Sequence, residues 1–352
     1  MQVKVTGDPN VVRPSPDPTP VDPTTPAPVT TPPVNADAGT KLLSSFSAPS
    51  LAVNLHPGIG NVLQCGLFVP ELNQWFSSQA TNGTNGSRTP YENTVISRMD
   101  ASGNLLDAMT LNNGGHGTSI GVEVVNGTTY VYTTYQANAG YSAATNDIVR
   151  FVYTPGVFDR SAVPGLTVMP KLDPGYDTIA FDWYNDYMVV RNSGGTKDNY
   201  IRRRISEWKV GTDATYGTVS LQQAPPTLQG FCTMNDCLFR YIGASNGELL
   251  TPPDLTYLEQ YSWATGKRID RLNYTTLGKD ATGAYPGGTH EPESCTMYRE
   301  PDGTATLAFS VTLDVYPNHQ WKMYKLPKIG SVVYAFTGDA TDANENNTQA
   351  PA

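Results

Sequence analysis

The sequence predicts an all-β chain, a five-bladed β-propeller preceded by an extended Pro-rich N-terminal arm. Three observations lead there. Tyrosine (20), glycine (32) and proline (28) are abundant while only 16% of residues are charged, a profile of short strands joined by many turns. An order of strand, tight turn, strand, polar insert, strand recurs five times. Its opening strands begin near residues 65, 119, 178, 230 and 294, and gaps of 52 to 64 residues suit one four-stranded blade each. A β-sandwich, also made of short strands and turns, is the competing architecture.

Residues 1–40 open with Gln2-Val3-Lys4-Val5-Thr6, which alternates as a short strand does, and continue with ten prolines between Pro9 and Pro33. Such a run favours extended polyproline II, a stiff spacer, and the strand ahead of it suits addition to the edge of a partner's sheet. A disordered tail is the other reading. The propeller is expected over residues 41–336 and an acidic flexible tail over 337–352.

Within the propeller, the first block has strands at 65–69, 74–79, 93–100 and 104–111. The second has 119–123, then the Asn126-Gly127 dipeptide that favours a type I′ hairpin, then 130–135 and 147–153. The third has 178–182, 187–191 and a strand over 200–208; the fourth has 229–233, 237–241, 258–263 and 268–272. The fifth has 294–298, 305–310 and 321–326. Closing the ring needs one more strand from a chain end, and 51–55 and 331–336 are the candidates. Arg202-Arg203-Arg204 alternates between faces at strand spacing and reads as a solvated edge or outer strand.

A net charge of −9 argues against a nucleic-acid backbone as partner. No run of about 18 apolar residues is present to span a membrane, and the N-terminus lacks an apolar leader segment. The four cysteines, Cys65, Cys232, Cys237 and Cys295, form no CxxC and so mark no zinc site. Cys232 and Cys237 flank the Asn235-Asp236 turn and either pair across it or remain free buried thiols.

Two polar segments, 174 residues apart, stand where strands should begin: Gly114-Gly115-His116-Gly117-Thr118 running on to Glu123, and Gly287-Gly288-Thr289-His290-Glu291-Pro292-Glu293. Inner strands of a propeller start at one mouth of its channel, so His116, Glu123, His290, Glu291 and Glu293 could gather there, joined by Asp182. Histidines among carboxylates could bind a divalent ion, polarise a hydroxyl or only hydrogen-bond one another. The structural reading is that the glycines serve a sharp backbone turn and that His116 satisfies its carbonyls. Trp183, with Tyr91, Tyr135, Tyr141, Tyr184 and Tyr285, lies in or near polar inserts, where rings can stack on the apolar faces of sugars. A glycosidase would draw its acid and base from Glu123, Asp182 and Glu293. No GxSxG elbow, Walker loop or HExxH is present.

The stretch from Gln64 to Glu123, with Ile96-Ser97-Arg98-Met99-Asp100, Gly103, Asp107, Met109 and the Gly-Gly-His-Gly-Thr segment, resembles the propeller family of phage receptor-binding, TagC-like and helveticin-like proteins. Glu291-Pro292-Glu293 is similar to that family's Glu-Pro-Glu-Gly motif, with Ser294 in place of the glycine, so the motif's backbone geometry is not expected to carry over unchanged. The resemblance spans roughly 64–326. It implies a propeller that presents a face to a host cell-wall glycopolymer, on a virion surface and commonly as a trimer. The resulting expectation is a bacteriophage protein of the tail-fibre or receptor-binding type, not an enzyme and without a cofactor, a divalent ion at the propeller mouth being the alternative. Residues 1–34 would join it to other virion proteins, with no nucleic-acid or membrane partner. A capsid decoration or head-fibre protein without ligand, and a propeller glycosidase, are the competing functions.

Overall fold

The computed structural model describes residues 49–326, apart from 59–62, 83–91, 136–146, 172–177, 195–196, 213, 222–227, 235, 244–255, 275, 288–289, 301–304 and 314–319. The expected anchor strand, stalk, closing candidate 331–336 and acidic tail lie outside the described residues, as do Tyr91 and Tyr141.

The chain enters with β1 (Ser50–Leu55). Blade 1 follows as β2 (Leu63–Val69), β3 (Gln74–Thr81), β4 (Asn93–Met99) and β5 (Leu105–Leu111). Blade 2 contains β6 (Ile120–Val125), β7 (Thr128–Tyr135) and β8 (Asp147–Val152). Asn126 and Gly127 between β6 and β7 both take positive φ, 48° and 76°, as a type I′ turn requires. The next strand, β9 (Gly156–Phe158), crosses to blade 1 and pairs parallel with β5, so blade 2 is completed only by the two-residue β10 (Thr167–Val168).

Blade 3 consists of β11 (Thr178–Asp182), β12 (Tyr187–Gly194), β13 (Lys197–Arg204) and, after the short helix α1 (Ile205–Lys209), β14 (Gly217–Leu221). The expected strand over 200–208 therefore ends at Arg204. Ile205 and Trp208, three residues apart, are both buried, and that spacing puts them on one face of a helical turn. Nor are Arg202 and Arg203 solvated at an edge, although Arg204 remains about a third exposed. The strand carrying them is third of four, and Arg202 and Arg203 are 8% and 3% exposed. Arg202 bonds Asp236 of the next blade at 2.7 Å and lies over the Tyr187 and Trp263 rings. An inter-blade carboxylate and aromatic faces thus replace the water expected around it.

Blade 4 is β15 (Leu228–Met234), β16 (Cys237–Ile242), β17 (Thr256–Ser262) and β18 (Arg268–Tyr274). Blade 5 is β19 (His290–Arg299), β20 (Ala305–Leu313) and β21 (Gln320–Lys325), completed by β1, which pairs antiparallel with β21. The N-terminal candidate is thus the strand that closes the ring.

Apolar side chains fill the gaps between blades. Five clusters occupy the five gaps in turn; the one between blades 2 and 3 holds Tyr132, Ile148, Met188 and Trp208, and the one between blades 5 and 1 holds Leu55, Trp75, Trp321 and Met323. Burying each large side chain fully is worth roughly 1.5–3 kcal/mol. The ring is therefore held by packing between sheets, and the strands nearest the axis are left to line a channel.

Candidate functional site

The inner strands β2, β6, β11, β15 and β19 surround a central cavity of 540 Å³. Each blade contributes a polar side chain near the start of its inner strand: Gln64, Ser119, Thr178, Gln229 and Glu293. Further along the strands the wall becomes apolar, with Leu67, Phe68, Phe181, Phe231 and Met297.

Of the residues expected to converge at the strand starts, Glu293 does line the channel. It is 3% exposed, and among the described residues none donates a hydrogen bond to its carboxyl. Burial, reinforced by the nearby Glu291, holds that carboxyl well above the usual carboxylate range. The strand bulges directly after it, at Ser294, whose φ is +60°. The serine thus takes a left-handed conformation of the kind glycine favours.

The other candidates go elsewhere. His116 Nδ1 lies 2.6 Å from Glu92 Oε2, a residue that sequence reasoning did not single out. The glycines beside it are fastened by their backbones: Gly115 donates to the Glu92 carbonyl at 3.1 Å, and Thr94 donates to the Gly115 carbonyl at 2.7 Å. Gly115 and Gly117 have φ of 98° and 73°, so this segment is a built turn. His290 is buried and stacks face to face on Tyr285, with ring centroids 3.7 Å apart.

Glu123 and Trp183 lie nearer the strand ends and meet through Lys209 of α1. The ammonium is 2.5 Å from Glu123 Oε1 and 5.1 Å from the centroid of the Trp183 ring, which in turn stacks on Phe181. Tyr132 donates a further bond to Glu123 at 2.8 Å. Asp182 is 1% exposed and caps its own turn, accepting from the Asn185 backbone at 3.2 Å and side chain at 2.7 Å. Burial pushes it up to about 6 despite these bonds. Beside it Tyr184 reaches across the strand-end mouth from blade 3, donating to Glu71 of blade 1 at 3.0 Å while the Arg299 guanidinium of blade 5 sits 3.7 Å from its ring centroid.

The predicted residues therefore divide between two ends of the channel and its outside. Glu123 and Asp182 are each committed to local partners, which leaves neither as a ready partner for Glu293 in an acid–base pair. Among the described residues no group of three or more His, Cys, Asp or Glu side chains is placed to hold a metal ion.

A closed five-bladed ring with a polar-rimmed, apolar-walled axial channel is an architecture for presenting a binding face. The chain belongs to the family of the phage 5-bladed beta propeller receptor binding platform domain, whose model matches residues 62–325. It is 27% identical over 289 residues to the putative major teichoic acid biosynthesis protein C of Bacillus subtilis (strain 168), covering 78% of this chain and 62% of that protein. The tail fiber of Staphylococcus aureus phage P68 shares the fold, with a TM-score of 0.69 at 21% identity over 82% of this chain and 54% of that one. The chain thus spans less than two thirds of the length of either relative.

Proposed function

We propose that this chain is a receptor-binding protein on the surface of a bacteriophage virion, and that its propeller recognises a host cell-wall glycopolymer without hydrolysing it. The observation that carries this reading is the receptor-binding family match, which runs through all five blades. The likeness to the Bacillus teichoic acid biosynthesis protein supports a teichoic-acid-like polymer as the ligand class. Binding rather than hydrolysis is favoured because Glu123 and Asp182 are occupied by Lys209 and Asn185. In this reading residues 1–34 join the chain to other virion proteins, and the copies form a homotrimer.

The test is retention of the full-length chain on a panel of Gram-positive cell walls, before and after chemical extraction of their glycopolymers. Retention that disappears with the polymer, without release of soluble saccharide, is the expected result. Deleting residues 1–34 should leave it unchanged. Retention that survives extraction, or its absence across the panel, would overturn the reading.

A further inference from the structure

We infer that the strand-start mouth of the channel is a subsite for the hydroxyl- or amine-bearing end of a sugar unit, received by Glu293 and Thr178, and that it disfavours phosphate. This rests on the reading that the propeller recognises a wall glycopolymer.

Two orphaned groups meet the cavity there. Glu293 lines it at 3% exposure with a carboxyl that accepts no hydrogen bond from the described residues. Thr178, on the facing inner strand of blade 3, lines it as well, and its buried Oγ1 has no hydrogen-bond partner among the described residues. Buried polar groups are nearly always paired, so two unpaired ones at a single mouth mark a place where partners arrive from outside. By contrast, Gln229 on the same rim is already bonded to the Gly243 carbonyl at 3.1 Å, and Ser119 accepts from the Ile179 backbone at 3.4 Å.

The charge pattern sets the ligand's chemistry. Among the described lining residues the cation is Arg191, and it is held by Asp198 at 2.7 Å. Glu71 is bonded by Tyr184 and Glu123 by Lys209. Glu293 faces the cavity with no cation beside it among the described residues, and burial together with the nearby Glu291 favours its neutral form. Such a mouth can pair with a sugar's hydroxyl or amine and offers a phosphate diester no unpaired cation among the described lining residues. Below the rim, Phe181 and Phe231 offer apolar wall of the kind that packs against a sugar's C–H face, and 540 Å³ lies within the range of small-ligand pockets.

The experiment compares full-length wild type with Thr178→Val, Glu293→Leu and Glu293→Gln, both for retention on intact walls and for binding glucose, glucosamine and glucose 1-phosphate, followed by isothermal titration calorimetry. Thr178→Val is nearly isosteric, and Glu293→Leu removes a buried unpaired acid, so both should fold. The expected result is a loss of about tenfold in wall affinity in each of these two variants, the scale of an unpaired buried polar contact. Glucose or glucosamine should also bind wild type more tightly than glucose 1-phosphate. Preference for glucosamine that Glu293→Gln abolishes would identify the amine as the donor; equal binding of glucose and glucosamine would identify the hydroxyls. Wild-type retention with unchanged variants overturns the subsite and leaves the glycan reading standing, and so does binding of glucose 1-phosphate as tight as that of glucose. Loss of wild-type retention itself would overturn the reading beneath it.

Discussion

Ser294 and Gly66, 228 residues apart, hold each other where the last blade meets the first. The Ser294 hydroxyl accepts a 2.9 Å hydrogen bond from the Gly66 N–H and donates a 3.0 Å one to the Gly66 carbonyl. Both groups belong to inner strands, so β2 and β19 are joined beside the channel without an added strand. The left-handed backbone at Ser294 costs roughly 1–2 kcal/mol for a residue with a Cβ, and this two-way bond offsets it.

Replacing Ser294 with alanine leaves the Gly66 N–H and C=O without that partner in a buried setting. We expect unfolding free energy to fall by about 1–3 kcal/mol, read from urea denaturation. Ser294→Gly should lose less, because glycine relieves the backbone cost. Equal stability for all three proteins would show that the paired bonds contribute nothing.

Arg240 ties blade 3 to blade 4. Its guanidinium lies 3.6 Å from Asp198 and 3.2 Å from Glu259 while only 3% exposed. Arg240→Met would remove the buried cation between the blades while Asp198 keeps Arg191 and Glu259 keeps Arg268. A loss of about 1–3 kcal/mol is expected, seen as a lower denaturation midpoint. A midpoint within error of wild type would contradict this account.

Asp182 makes stability depend on pH. Burial raises its carboxyl to about 6, above the ordinary value, so the folded chain binds this proton more tightly than the unfolded chain does. The associated stability is full below about pH 4, declines as pH rises through the window and is lost above about pH 6. Two units correspond to about 3 kcal/mol. The stability difference between wild type and Asp182→Asn should therefore shift by that amount between pH 4 and 7, against the variant at low pH. Parallel pH profiles would refute it.

The cysteines should stay reduced and slow to react. Cys232 Sγ lies 3.7 Å from Cys295 Sγ, not against Cys237, whose sulfur accepts from Gln260 Nε2 at 3.1 Å. Burial pushes the Cys65 thiol up to about 11 and the Cys237 thiol up to about 12. An aromatic disulfide reagent at pH 8 should therefore titrate four thiols in denaturant and react far more slowly with the native chain. A Cys232–Cys237 disulfide found by mass spectrometry would overturn the arrangement.

Much of the fold was legible because its signals are local. Asn126-Gly127 specifies its turn by dihedral preference alone, and the expected inner-strand starts at 119, 178 and 230 fall within two residues of Ile120, Thr178 and Leu228. The outer strands were less legible. β10 has two residues and β14 five, too short for alternation to stand out, and β9 pairs in a neighbouring blade. Lys209 was missed as the partner of Glu123 because 86 residues separate them and α1 was read as strand.

The sequence by itself pointed to five blocks of short strands in a ring, because alternation and turn chemistry act between near neighbours, while closure by residues 51–55 was decided by the structure. Only the tertiary structure decided which polar groups share a mouth. Alternation says that a side chain leaves one face of a strand; it does not say which blade lies opposite or how far along the axis the two strands are offset. Those offsets follow from sheet twist and inter-blade packing. They send Glu293 and Thr178 into the channel, fold His116 back onto Glu92, and carry Tyr184 across to Glu71.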